Sequence, residues 1–304
     1  PVDLIPPTRH HKTQIRKILE AVLINQGFLE EVNFAFLSET IHRKVSHDMN
    51  SLLEIRNPVN EDLRYMRGSL LPYLLKNLSR NQLSERRVLE TFEIGKIFEK
   101  HDEEVEEMLL LTALVSSPDL DLSFYRIKGL VESLFSELSL PLIFEESEDL
   151  RAIPGQVLEI HSNGKMVGKF FELHPWVKEN FELQGSVSVL EIPLADLEAV
   201  KPVVIQYQEI NRLPPAYLDL SILVPETTKA KEMETLIRGV EPELLKTIKL
   251  LEVYRGKNIP EGKKSFTYSL SLQHRTRTLS ETEIQDILNR LILAVEKSGG
   301  VVRR

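Results

Sequence analysis

Val253-Tyr254-Arg255-Gly256, followed by Ile259-Pro260-Glu261-Gly262-Lys263-Lys264-Ser265 and then by Arg277-Thr278-Leu279-Ser280-Glu281-Thr282-Glu283, reads as a strand end, a glycine-punctuated basic hairpin, a returning strand and a capped helix start. Ser280 and Glu283 are spaced as a capping box, and Leu279 and Ile284 as a hydrophobic staple. The helix they open carries Ile284, Ile287, Leu288, Leu291, Ile292 and Val295 as one apolar stripe and stops at Gly299-Gly300, leaving residues 301–304 for a closing strand. Upstream, residues 265–272 alternate Phe266, Tyr268, Leu270 and Leu272 with Ser265, Thr267, Ser269 and Ser271. Residues 218–224 likewise set Leu218, Leu220, Ile222 and Val224 against Asp219 and Ser221. Between them lie a helix starting near Thr228, with Ala230, Met233, Ile237 and Val240 inward, and a strand over 247–254. The order βαββαβ is the ferredoxin-like split-βαβ arrangement, whose two helices cover one face of a four-stranded sheet and leave the other open.

With the apolar residues turned to the helices, Ser221 and Ser265 face the open side, where period-two counting also places Glu252 and Tyr254. A tyrosine among small polar groups beside a basic hairpin is a platform on which RNA-binding modules stack unpaired bases; an ordinary half-buried strand tyrosine is the other reading. Charge is distributed unevenly. The chain carries a net −8, yet residues 201–304 hold 17 Lys and Arg against 13 Asp and Glu. Arg255, Lys257, Lys263, Lys264, Arg275 and Arg277 fall in one hairpin region with a single acid, Glu261, either as a solvated loop edge or as a patch that neutralises phosphates.

A length of 304 residues predicts two domains, and zero cysteines exclude thiolate chemistry and fit a reducing, cytoplasmic setting. No run of ~18 apolar residues predicts a membrane span. The chain starts at Pro1 in a proline-rich segment, which predicts a piece of a longer protein. Residues 1–200 read as an α+β domain with a mainly antiparallel sheet. Thr8 caps a helix with Ile15, Ile18, Leu19, Val22 and Leu23 on one face, ending at Gly27. Strands are predicted at 32–37, 52–55, 87–98 and 108–115, helices at 69–81 and 124–138, a hairpin at 157–171 turning on Asn163-Gly164, and a closing strand at 187–192. Residues 201–212 form the linker, and 213–304 the second domain. No metal site is predicted: His10-His11, His42 and His47 lack ligand spacing, and Glu145, Glu146, Glu148 and Asp149 read as a solvated acidic turn. His174-Pro175 reads as a helix start.

These residues carry a family resemblance. From Leu213 to Arg304, above all in Tyr254-Arg255-Gly256, Ile259 to Ser265 and Arg277-Thr278-Leu279, the chain resembles the ferredoxin-fold anticodon-binding domain that ends the bacterial phenylalanyl-tRNA synthetase β subunit. Asn57-Pro58, Met66-Arg67-Gly68-Ser69-Leu70-Leu71-Pro72, Asn81, Phe92-Glu93-Ile94-Gly95-Lys96-Ile97-Phe98 and Glu172-Leu173-His174-Pro175 are similar to that subunit's catalytic-like, class II synthetase-like domain.

The resemblance implies a noncatalytic part of a phenylalanine–tRNA ligase that scaffolds the catalytic α subunit in an α2β2 complex and binds the tRNA(Phe) anticodon region. Tyr254 would stack on an anticodon base, Glu252 and Ser265 would contact base edges with Ser221 beneath, and Arg255, Lys263, Lys264, Arg275 and Arg277 would hold phosphates. Leu218-Asp219-Leu220-Ser221 departs from the family's Arg-Asp-Leu-Ala, and Glu252 stands where relatives use Asp. ATP and Mg would serve the full complex, with no cofactor or metal bound by this chain. Glu99 stands where the catalytic paralogue has a phosphate-gripping arginine, and an acid there repels phosphate; the family's third glycine-rich motif is absent. The first helix and its neighbouring strand would meet the α subunit, with Ile24 and Phe28 as contact candidates.

Overall fold

The computed structural model describes residues 11–46, 48–82, 88–101, 104–119, 122–204, 207 and 209–303, so the predicted cap at Thr8 lies outside the described residues. The chain divides into two compact units, Pro1–Gln206 and Tyr207–Arg304.

In the first unit the elements are α1 (His11–Asn25), β1 (Leu29–Glu30), β2 (Phe36–Leu37), α2 (Glu39–Arg43), β3 (Tyr65–Met66), α3 (Leu71–Asn81), β4 (Leu89–His101), β5 (Glu104–Ser117), α4 (Leu122–Glu137), β6 (Ile143–Glu146), β7 (Ala152–Ser162), β8 (Lys165–Leu173), α5 (Pro175–Asn180), β9 (Ser186–Pro193) and α6 (Leu194–Glu198). Seven strands form one sheet in the order β1-β4-β5-β9-β8-β7-β6. Every pairing is antiparallel except β1 with β4. Both faces are covered, so strand β9 is apolar on alternate residues in both directions. Leu190 and Ile192 join α1, α4 and α6 in one core, while Val187 and Val189 join α2, α3 and α5 in the other.

Two family motifs turn out to be packing devices. Glu172 is buried and accepts hydrogen bonds from Ser188 Oγ (2.6 Å), Ser123 Oγ (3.0 Å) and the Val187 amide (3.0 Å). His174 caps α5, its Nδ1 accepting from the Trp176 amide. Likewise Arg67 donates Nη1 to Glu93 Oε1 at 2.7 Å and Nε to the Lys96 carbonyl at 2.8 Å, and Glu93 accepts from Asn33 Nδ2 at 2.8 Å. This buried pair takes up the polar groups around residue 33. It explains why the predicted strand 32–37 shortens to β2: the segment is tied to side chains instead of a ladder. Residues 52–55 contribute only one bridge, Glu54 with Tyr65.

The predicted acidic turn is not solvated at Asp149, whose side chain is 8% exposed and receives Arg151 at 2.8 Å and Lys169 at 2.7 Å. Burial pushes this carboxyl up, but those two cations more than reverse it and hold it well below the usual range. His42 is also buried, in α2, with Nε2 2.7 Å from the Asp48 carbonyl.

The second unit holds β10 (Ala216–Pro225), α7 (Ala230–Val240), β11 (Leu245–Tyr254), β12 (Lys263–Leu272), α8 (Glu281–Lys297) and β13 (Val301–Arg303). Its antiparallel sheet runs β11-β12-β10-β13, the strand order that the βαββαβ reading requires. Leu220, Ile222, Val224, Phe266, Tyr268, Leu270 and Leu272 meet Met233, Ile237, Ile287, Leu291 and Val295 in one core. The Tyr268 hydroxyl leaves no orphan there, since it donates to the Ala230 carbonyl.

The predicted capping box is present: the Glu283 amide donates to Ser280 Oγ and the Ser280 amide to Glu283 Oε2. Arg277 pairs with the same carboxylate and, with the Ser280 amide, lowers its pKa to about 2. A folded-state value below the unfolded one means that this contribution is complete above the unfolded carboxylate range and lost as pH falls towards 2. Hydrogen exchange at the first-turn amides of α8 is therefore expected to lose protection between pH 4.5 and 2 in the wild type, and to show no such limb in Glu283→Gln.

Candidate nucleic-acid interface

Ladder register decides what the open face of the second sheet presents. Tyr254 pairs with Ser265, which pairs on its other side with Leu223; Glu252 pairs with Thr267, which pairs with Ser221, which pairs with Arg303. Paired residues point to one side of a sheet, so Tyr254, Ser265, Glu252 and Ser221 share the face away from the helices. The bulge at Leu251 is what keeps Glu252 on this side. Ser221 Oγ and Thr267 Oγ1 are 3.1 Å apart.

Tyr254 is 39% exposed, Glu252 is exposed and Ser221 half-buried, whereas Ser265 is only 3% exposed. Tyr254, Glu252 and Ser221 are therefore open to an approaching ligand in this conformation, and Ser265 only after its neighbours move. The Tyr254 ring lies over Gly256, where a Cβ would overlap it; Tyr254-Arg255-Gly256 is thus a ring and its resting place. Sequence reasoning passed over Thr267, Arg303 and the exposed Tyr217 on this face. Counting by twos from Ser221 and Ser265 finds Tyr217 and Thr267; Arg303 needs the β13 register.

The basic residues require two corrections. Lys264 is buried, 9% exposed, with its Nζ 5.2 Å from the Phe266 ring centroid. It pairs with Val224 on the helix-covered side, because consecutive strand residues alternate faces and Ser265 takes the open one. Lys264 is thus not part of an open-face phosphate patch. Nor do the others form one cluster. Arg255 and Lys263 sit at the hairpin end of β12, while Arg275 and Arg277 lie beyond its far end, about 30 Å away for a ten-residue strand at ~3.3 Å per residue. Arg255 is 2.8 Å from Glu226, and Arg277 is held by Glu283.

In the first unit, a cavity of about 260 Å³ is lined by Gly68, Ser69, Ile97, Glu99, Arg151 and Glu191 among others. Arg151 grips Glu191 through two bonds of 2.9 and 2.7 Å and also Asp149. Its guanidinium is already engaged by carboxylates, and Glu99 adds a further acid to the wall, so these residues do not fit a nucleotide triphosphate. Among the described residues no group of three or more His, Asp or Glu is placed to hold a metal ion, and no helix is long and apolar enough to cross a membrane.

Exposed apolar residues of the same unit include four in a short stretch from the last turn of α1 onward, besides others elsewhere such as Val59 and Leu150, both 93% exposed. Ile24, Leu29, Val32 and Phe34 are 56%, 52%, 89% and 72% exposed. Phe28, in contrast, is a core residue, 2% exposed beneath the Arg126 guanidinium, and is not available as a contact.

Comparison with known proteins agrees with this division. Residues 2–194 match the family model described as "Phenylalanyl tRNA synthetase beta chain CLM domain", and residues 211–304 match "Ferredoxin-fold anticodon binding domain". Solved structures of the pyrrolysyl-tRNA synthetase of Desulfitobacterium hafniense share the fold of 62% of this chain, with TM-scores of 0.53 and 0.52 at 15% identity. The two matched family models define a synthetase-type chain, in which a domain with a class II synthetase-like fold precedes an anticodon-binding domain. The chain belongs to the phenylalanyl-tRNA synthetase β-chain family. It is 29% identical to the phenylalanine–tRNA ligase β subunit of Clostridium acetobutylicum over 93% of its own length and 36% of the relative's. To that of Moorella thermoacetica it is 32% identical over 91% and 36%. The chain therefore spans little more than a third of the relatives it matches.

Proposed function

We propose that this chain is a noncatalytic portion of a cytoplasmic phenylalanine–tRNA ligase, scaffolding the catalytic α subunit and reading the anticodon region of tRNA(Phe) with its second unit. ATP and Mg then serve the α subunit of an α2β2 complex, and this chain binds neither. The observation that carries the reading is the shared open face of Tyr254, Glu252 and Ser221. The deciding experiment titrates the chain with a tRNA(Phe) anticodon stem-loop and with the same hairpin carrying a scrambled anticodon, at two salt concentrations. Preference for the cognate loop is expected; equal, weak binding to both overturns base reading.

The apolar strip at Ile24, Leu29, Val32 and Phe34 supports the scaffolding half, because an exposed apolar patch at a sheet edge marks an interaction site. Phe34→Asp is expected to weaken association with the α subunit about tenfold, or ~1.4 kcal/mol, in a co-sedimentation titration. Undiminished association would remove the strip from the interface.

A further inference from the structure

A second polar feature of the anticodon-binding unit lies far from the base-reading end. Tyr254 and Ser265 pair near the start of β12, and Leu245 pairs with Leu272 at its end. Beyond that end opens a cleft of about 820 Å³, lined by Asn211, Arg212, Lys246, Gln273 and Arg275 together with Glu209 and Ile210.

The cleft is built by hydrogen bonds that join two distant stretches of chain. Asn211 Nδ2 donates to the His274 carbonyl at 2.9 Å, Asn211 Oδ1 accepts the Leu213 amide at 3.0 Å, and Gln273 Nε2 donates to the Leu213 carbonyl at 2.6 Å. Arg212 and Arg275 each follow closely on one of these anchors, so both arrive at the cleft from fixed backbone. Lys246, at the start of β11, adds a third cation.

Charge pairing marks the free cations. Arg255 in the hairpin and Arg277 near the cleft have carboxylate partners, whereas Arg212, Lys246 and Arg275 at the cleft, like Lys257 and Lys263 in the hairpin, have none within 4.0 Å among the described residues. Three unmatched cations face one acid, Glu209, and two of them are guanidinium forks, whose planar donors suit phosphate oxygens. We infer that this cleft seats backbone phosphates of the RNA whose bases meet the open face, which makes it, with three unmatched cations including two guanidiniums against the hairpin's two lysines, the main electrostatic contact. The inference rests on the RNA-binding reading above and extends it by naming where the backbone leaves the sheet.

The test compares wild type with the combined Arg212→Ala, Lys246→Ala and Arg275→Ala variant, titrated with the cognate and scrambled stem-loops across a range of salt. A control variant removes three exposed helix cations, Lys231→Ala, Arg238→Ala and Lys297→Ala. Each phosphate contact contributes about 0.7–0.9 to the slope of log affinity against log salt. The cleft variant is expected to be shallower by about 2 to 3, with the ratio of cognate to scrambled affinity unchanged, and the control to match wild type. A cleft variant with the wild-type slope, or a control that loses as much, overturns the phosphate seat while leaving anticodon preference standing. Wild type that binds neither hairpin overturns the RNA-binding reading and this inference with it.

Discussion

Glu93→Ala is expected to lower the unfolding free energy of the first unit by about 3–5 kcal/mol, the cost of leaving one member of a buried ion pair alone. The side chains of Arg67 and Glu93 are 6% and 4% exposed and 2.7 Å apart. After the substitution the guanidinium keeps the Lys96 carbonyl at 2.8 Å, but loses its one carboxylate partner among the described residues, and the Asn33 amide donor that met Glu93 is also stranded. Replacing both partners together, as Arg67→Met with Glu93→Leu, is expected to restore much of the loss because no charge remains buried. Denaturant titration can isolate this unit, since the chain's single tryptophan, Trp176, packs against its second core. A loss below about 1 kcal/mol would show that water reaches the pair and that it is worth no more than a surface bridge. Gly95 belongs to the same arrangement: a Cβ there would overlap the Arg67 guanidinium.

Tyr254→Ala is expected to weaken binding of the cognate anticodon stem-loop by about 1–3 kcal/mol, or roughly 5- to 150-fold, the range found when a stacking aromatic is removed. Tyr254→Phe retains the ring face and is expected to stay within a few fold of wild type. Because the ring is exposed at the end of β11 and rests on Gly256, outside the helix-side core, the alanine variant keeps its fold, and a fall in affinity reports the lost stacking surface. Equal affinity of wild type and Tyr254→Ala would remove Tyr254 from the base-reading role.

The anticodon-binding unit was legible nearly element by element. Its strands alternate at period two, its last helix opens on Ser280 with Glu283, and the same counting that buries Phe266 and Tyr268 turns Ser221 and Ser265 to the open face, whereas Glu252 and Tyr254 reach it through the bulge at Leu251. Such patterns are local: they depend on residues two to four positions apart, which backbone geometry relates without reference to the rest of the chain. The same rule placed Lys264 beneath the sheet, and applying it there corrects the patch that adjacency in sequence suggested.

The first unit was less readable because its decisive contacts join residues far apart. Arg67 reaches Glu93 and the backbone around Asn33, and Arg151 reaches Glu191 forty residues away. These pairings convert a predicted strand at 32–37 into a pinned loop and an apparently solvated acid at Asp149 into a buried one. Likewise, Phe28 and Ile24 look alike as apolar residues near the end of one helix, yet Arg126 from α4 covers the first and nothing comparable covers the second. Amino-acid order alone sufficed for the family and for most elements of the second unit, including the faces of β10 and β12. Which charges are matched, which apolar side chains stay uncovered, and where phosphate-ready cations gather depend on what folding brings across the chain, because Coulomb and burial energies follow distance in space and not separation in sequence.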